Sequence, residues 1–221
     1  MDVITDFYDV QVKQWPSHGR QILAYFDDLS ILVYQAYRHS IGRFAIEHGC
    51  FGGPDYSFSR MSWIKTNFLW MMYRSGWGTK EDQETILALR LSRSFFDTIL
   101  ESAVPSTYDP ELFSSHTAWK DAVEASDVRL QWDPDHSPSG TKLERKAIQL
   151  GLRGAMLEAY ASKEILEVID LTDFVASQRP YVNSGVDLRM PVEDVYIPSS
   201  IKACERVRIH SVDGSFNETT Q

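Results

Sequence analysis

The chain is poor in several features that would narrow its class quickly. It has two cysteines in 221 residues, Cys50 and Cys204. So few cannot make a disulfide framework, and a reducing compartment, cytoplasmic or nuclear, is expected. No uninterrupted apolar run approaches the ~18 residues of a bilayer span, so no membrane association is expected. The opening MDVITDFYDV is acidic and has no apolar centre, unlike a secretory leader. Positive charge is in deficit, at a net −9. An acidic surface repels phosphate backbones at long range, which argues against a broad nucleic-acid surface but leaves room for a local basic pocket. There is no G-x-S-x-G, no Walker loop and no internal repeat. The histidines at 18, 39, 48, 116, 136 and 210 are scattered, with no i, i+4 pair, so no metal is expected.

Two weaker motifs have bland counterparts. DPDHSPSGTKLE places Asp133, Asp135, Ser137, Ser139 and Glu144 at the spacing of a calcium loop. Pro138 stands where such loops need glycine, so a surface turn that binds no calcium is expected. Cys50 lies in a glycine-rich loop, but no base or helix start can be assigned to it, and a nucleophile there is not expected.

What is present is 43% hydrophobic residues and 12% aromatics, enough for a real core. The pattern predicts an irregular arm over residues 1–19, then strands in QILAYF and SILVYQAY. The second is apolar on both faces except for Gln35, as a central strand would be. IGRFAIEH reads as a short helix between Ser40 and Gly49. ETILALRLS reads as a strand, followed by a helix capped at Ser92 or Ser94. A helix over 113–126, a short strand VRLQW, a loop DPDHSPSGTK, strands KAIQLGLRG and EILEVIDLT, and a helix after Thr172 complete the order. Strands not separated by helices point to an α+β fold, one domain of small mixed or antiparallel sheets with flanking helices. The domain is expected over 20–180, and 181–221 as an extension with a polar tail that includes the sequon Asn217-Glu218-Thr219.

RMSWIKTNFLWMMYRSGWG, residues 60–78, is the most distinctive stretch, with three tryptophans, three methionines and several cations. Read as a helix from Ser62 to Gly76, it is apolar around most of its circumference. Trp63, Asn67, Trp70 and Arg74 then fall on one stripe. Either the stripe is core and its polar groups tie down loops, or it faces a ligand cleft, with Trp stacking and Arg holding a phosphate or carboxylate. In this projection Lys65 points elsewhere.

RQILAYFD and ILVYQAY, followed by RMSWIKTNFLWMMYRSGWGTK, VRLQWDP and KAIQLGLRG, resemble the family described as domain of unknown function 4291, over about residues 20–180. The order of elements also resembles ADP-ribosyltransferase-like folds, which grip NAD in a cleft between two small sheets. That resemblance implies a split-sheet core and NAD as cofactor. It puts Gln35 and Gln149 at the orienting, catalytic positions, although those folds carry an early-strand His or Arg and a late-strand acid there. Arg20, Trp63, Asn67, Trp70, Tyr73 and Arg74 would bind the cofactor. Expected partners are a small nucleotide or a nucleic-acid end. The alternatives are a non-catalytic nucleotide- or RNA-end-binding module and a structural protein whose aromatics are only core. Arg20, Gln35, Arg74 and Gln149 are each polar within or beside an apolar element, so they are expected to converge on one cleft. If so, Arg74→Ala should weaken nucleotide binding more than Lys65→Ala.

Overall fold

The computed structural model describes residues 3–209. It is an α+β domain built on seven strands in one sheet. In chain order the strands are β1 (Thr5–Phe7), β2 (Leu23–Ala24), β3 (Ser30–Tyr37), β4 (Ser62–Lys65), β5 (Thr85–Ser92), β6 (Ala103–Pro105), β7 (Val128–His136), β8 (Lys142–Leu152), β9 (Ile165–Asp170), β10 (Arg189–Pro191) and β11 (Asp194–Val195). The helices are α1 (Tyr8–Gln11), α2 (His39–His48), α3 (Phe68–Ser75), α4 (Arg93–Glu101), α5 (His116–Ala125), α6 (Gly154–Ala159), α7 (Thr172–Gln178) and α8 (Ile201–Val207). The main sheet runs β6-β7-β8-β4-β3-β5-β9, and only the β6–β7 pair is parallel. Two ribbons, β1–β10 and β2–β11, stand beside it.

Alternation on β3 and β5 explains why helices cover both faces of the sheet. Ile31 and Val33 join Leu87, Leu89 and Leu91 in a core closed by Phe96, Ile99 and Leu100 of α4 and by Ala203, Cys204 and Val207 of α8. The other parity, Leu32 and Tyr34 with Ile86 and Ala88, packs under Phe68, Leu69 and Met72 of α3 and Val175 of α7. The central strand is therefore apolar on both sides because each side meets a helix layer. Ser92 caps α4, its Oγ accepting from Phe95 N at 3.2 Å.

Several expectations need correction. Ser62–Lys65 is a strand, and the helix begins only at Phe68. Asn67 sets that boundary, since its side-chain oxygen accepts from Trp70 N at 2.7 Å. An apolar run with no clear period can serve a buried strand or a buried helix, and here it serves one and then the other. Gly76 does end the helix, at φ 58°. The loop expected over DPDHSPSGTK is confined to residues 137–141, with β7 continuing to His136 and β8 starting at Lys142. The arm expected over residues 1–19 is not irregular over its described part, 3–19, because β1 pairs β10 and Trp15 Nε1 donates to the Glu193 carbonyl at 2.8 Å. Nor is the segment after 180 an extension. Leu188, Met190, Tyr196 and Val207 are fully buried, so the described residues after 180 belong to the one domain. The sequon at Asn217 lies outside the described residues. Among the described residues, no helix is long and apolar enough to cross a membrane.

The expected small sheets are joined in one, but the join is narrow. Backbone pairing between β3 and β4 is limited to Tyr34↔Lys65, whereas β3 and β5 pair along their whole length. Past that point β3 and β4 diverge, and a cleft opens.

Candidate functional site

The cleft has a volume of about 420 Å³. Its walls come from β3 (Gln35, Ala36, Tyr37), β4 with the preceding residue (Met61, Ser62, Trp63, Lys65), α3 (Met71, Arg74), Gln83, and the glutamines Gln131 of β7 and Gln149 of β8.

The sheet register builds the floor. Gln131, Gln149 and Lys65 are successive cross-strand partners, so period-two geometry puts all three on one face, under α3. Trp63 is on the same face, two residues from Lys65 and opposite Gly151. A Cβ at Gly151 would run into Met61 and Trp63, so this glycine makes room for the aromatic wall. Arg74 hangs exposed from the last turn of α3 and reaches the same opening.

Gln35 holds the split together. It is 2% exposed. Its Nε2 donates to Ser62 Oγ at 2.8 Å and to the Trp63 carbonyl at 3.1 Å, and its Oε1 accepts from the Tyr160 hydroxyl at 2.7 Å. Tyr37 Oη and Ser62 Oγ are 2.7 Å apart. These side-chain bonds replace the backbone ladder where β3 and β4 part. Its amide is thus engaged by the protein, and Gln35 acts as a clip in the cleft wall. Gln35→Leu should destabilise the protein by about 2–3 kcal/mol, since it strands the Tyr160 hydroxyl and a buried carbonyl. Chemical denaturation checks this, and a loss below about 0.5 kcal/mol would remove the clip.

Lys65 is the group that the helical projection set aside. It is 4% exposed. Among the described residues, no carboxylate pairs with it, and its nearest notable neighbour is the Trp70 ring, 5.8 Å from Nζ to centroid. Burial, and then the positive charge of Arg74, lower its pKa to about 8, against an opposing pull from Asp133. Gln149 Nε2 donates to Gln131 Oε1 at 2.7 Å and to Asp133 Oδ2. The floor is therefore a string of amides with a carboxylate behind it and an uncompensated amine at its end.

The other expected site residues lie elsewhere. Arg20 is exposed and lines a separate cavity with Tyr108, Trp132 and Arg206, so the four-residue convergence holds for Gln35, Arg74 and Gln149 but not for Arg20. A short bridge from Arg20 to Lys146 fastens its backbone to β8. Asn67 is a buried helix cap, with its Nδ2 donating to Glu193 Oε2 at 3.4 Å. Trp70 and Tyr73 turn from the cleft and stack on His136, Tyr73 at 3.6 Å between ring centroids. The Trp63/Asn67/Trp70/Arg74 stripe dissolves because its first member is on a strand.

Lys65 and Gln131 were missed although the sequence signals both. SWIK read with a period of two puts Trp63 and Lys65 on one face. VRLQW carries a glutamine between Leu130 and Trp132, the kind of polar residue in an apolar strand that marked Gln35 and Gln149.

Asp135, one of the calcium-loop positions, is 1% exposed on its side chain and bound to Arg145 at 2.5 Å. Among the described residues, no group of three or more His, Cys, Asp or Glu is placed to hold a metal ion.

The chain belongs to the family described as a domain of unknown function, DUF4291, matched over residues 21–196. That span includes every residue lining the cleft. No curated protein matches the chain.

Proposed function

We propose that this DUF4291 member binds a nucleotide in the β3/β4 cleft, with the phosphate on Lys65 and Arg74. The observation that carries the reading is the pair of cations on one opening without a carboxylate partner among the described residues. Burying a lysine without a counter-ion is costly, and a bound anion removes that cost. Trp63 offers a half-buried ring for a base or a nicotinamide. Gln131 and Gln149 carry the amide groups that read a ribose hydroxyl or a ring amide.

Glycosyl transfer from NAD, the chemistry of ADP-ribosyltransferase-like clefts, is a second reading, favoured by Asp133. Its carboxylate touches Gln149 Nε2, beside the place where a ribose would lie. Such a cleft would stabilise a cationic sugar by fixed charge and dipoles. Asp133 opens to the neighbouring cavity, with Gln149 between it and the cleft. The geometry therefore supports binding more directly than transfer.

Affinity for AMP, ADP-ribose and NAD, measured by calorimetry on folded variants, tests the reading. Because Lys65 lines the cleft, Arg74→Ala and Lys65→Ala should each cost about 1.5–3 kcal/mol, replacing the expectation that Arg74 dominates. Arg20→Ala should change affinity by less than about 0.5 kcal/mol, as a surface substitution away from the site. An effect of Arg20→Ala equal to that of Arg74→Ala would move the site to the other cavity.

A further inference from the structure

We propose that the Lys65 amine is a nucleophile, forming an imine with an aldehyde or ketone that carries a carboxylate or phosphate. The inference shares the cleft with the nucleotide reading but does not depend on it. It requires only a small anionic carbonyl compound.

Three observations converge on this chemistry. The amine is on the wall of an open cleft, so a small molecule can reach it, while its stem is buried. Among the described residues, no carboxylate or backbone carbonyl claims Nζ, which leaves its lone pair free when the proton is off. Arg74 opens on the same cleft and supplies a planar donor pair for an anionic group one or two bonds from the carbonyl. The charged groups acting on Lys65 are Arg74 from α3 and Asp133 from β7. The neighbouring wall residues from β3 and β8, Gln35 and Gln149, are uncharged. Desolvation and an adjacent cation are the two means by which a lysine becomes a nucleophile near neutral pH, and both are present.

The step balances without a co-reactant. The Nζ lone pair attacks the carbonyl carbon, and a proton from nitrogen passes to the oxygen to give a carbinolamine. The second amine proton and the hydroxyl leave as water, and the C=N bond forms. Gln131 and Gln149, two amides on the floor, are placed to hold the hydroxyl as it departs.

The full chain, treated with glyoxylate and cyanoborohydride at pH 7, tests this by peptide mass spectrometry. The reagent reduces any imine to a stable carboxymethyl-lysine. Lys65 should be modified about tenfold faster than the exposed lysines Lys120 and Lys163. Its rate should rise through a midpoint near pH 8. The ratio of glyoxylate to acetaldehyde labelling at Lys65 should fall about tenfold in Arg74→Ala, the equivalent of one charged hydrogen bond. Labelling of Lys65 no faster than of Lys120 in the wild-type protein overturns the inference, and this outcome does not depend on any variant folding. An unchanged ratio in Arg74→Ala overturns the anionic requirement. Neither result bears on nucleotide affinity, so the two readings fail separately.

Discussion

Replacing Lys65 with methionine is expected to stabilise the protein by about 2 kcal/mol at neutral pH while weakening anion binding in the cleft. The lysine is buried and its pKa is lowered from 10.5 to about 8. A lowered amine pKa means that the unfolded chain holds the proton more tightly than the folded one. The cost is therefore complete below pH 8, and it is relieved as pH rises from about 8 towards 10.5. The shift corresponds to about 3 kcal/mol, of which the lost contact with the Trp70 ring returns up to about 1 kcal/mol. Methionine fills the same stem volume and carries no charge. Denaturant unfolding at pH 7 and pH 10 should show the variant ahead at the lower pH and the gap closing at the higher. A wild-type protein more stable than the variant at pH 7 would mean that Lys65 has a structural partner, and the functional reading would lose its motive. Stability given up at one buried position is the pattern expected where a group is kept for its function.

The second large effect concerns the buried pair behind the site. Arg145→Met should cost about 3–5 kcal/mol, because it leaves Asp135 buried without its partner. Arg145 and Asp135 have side chains 4% and 1% exposed and meet at 2.5 Å. Arg145 also donates to the Pro16 carbonyl at 2.7 Å and lies over the Trp15 ring. The pair thus fastens Trp15 and Pro16 to the β7–β8 hairpin. Arg145→Met with Asp135→Asn should recover part of the loss, since the double variant buries no charge. Calorimetric unfolding of the three variants decides it, and a single-variant cost below about 1 kcal/mol would contradict the buried-charge account.

The sequence displayed the sheet more clearly than the site. SILVYQAY and ETILALRLS carry the two-sided apolar pattern of central strands, and they are the fully paired β3 and β5. Gln35 and Gln149 stood out as polar residues on apolar strands, and both reach the cleft. The stretch 60–78 misled because its apolar residues satisfy a period of two and a period of 3.6 alike. The decision lay with Asn67, which is a poor helix-interior residue and a good cap. Once that boundary moves, Lys65 turns into the cleft and Trp70 turns out of it. The pairing of the two short ribbons was invisible for another reason. The β1–β10 and β2–β11 ribbons are two or three residues long, too short to show alternation, and their partners are far apart in sequence.

The central claim is that the β3/β4 cleft is an anion-binding ligand site centred on Lys65 and Arg74. Its most direct test is the thermal unfolding of wild type, Lys65→Met and Arg74→Ala with and without a panel of AMP, ADP-ribose and NAD. The account predicts that at least one nucleotide stabilises the wild type, by about 2.7 kcal/mol when present at about 100 times its Kd, and that at the same concentration the gain falls to about 1.3 kcal/mol or less in both variants. A panel that leaves the wild type unmoved, or a gain undiminished in Lys65→Met and Arg74→Ala, would contradict it.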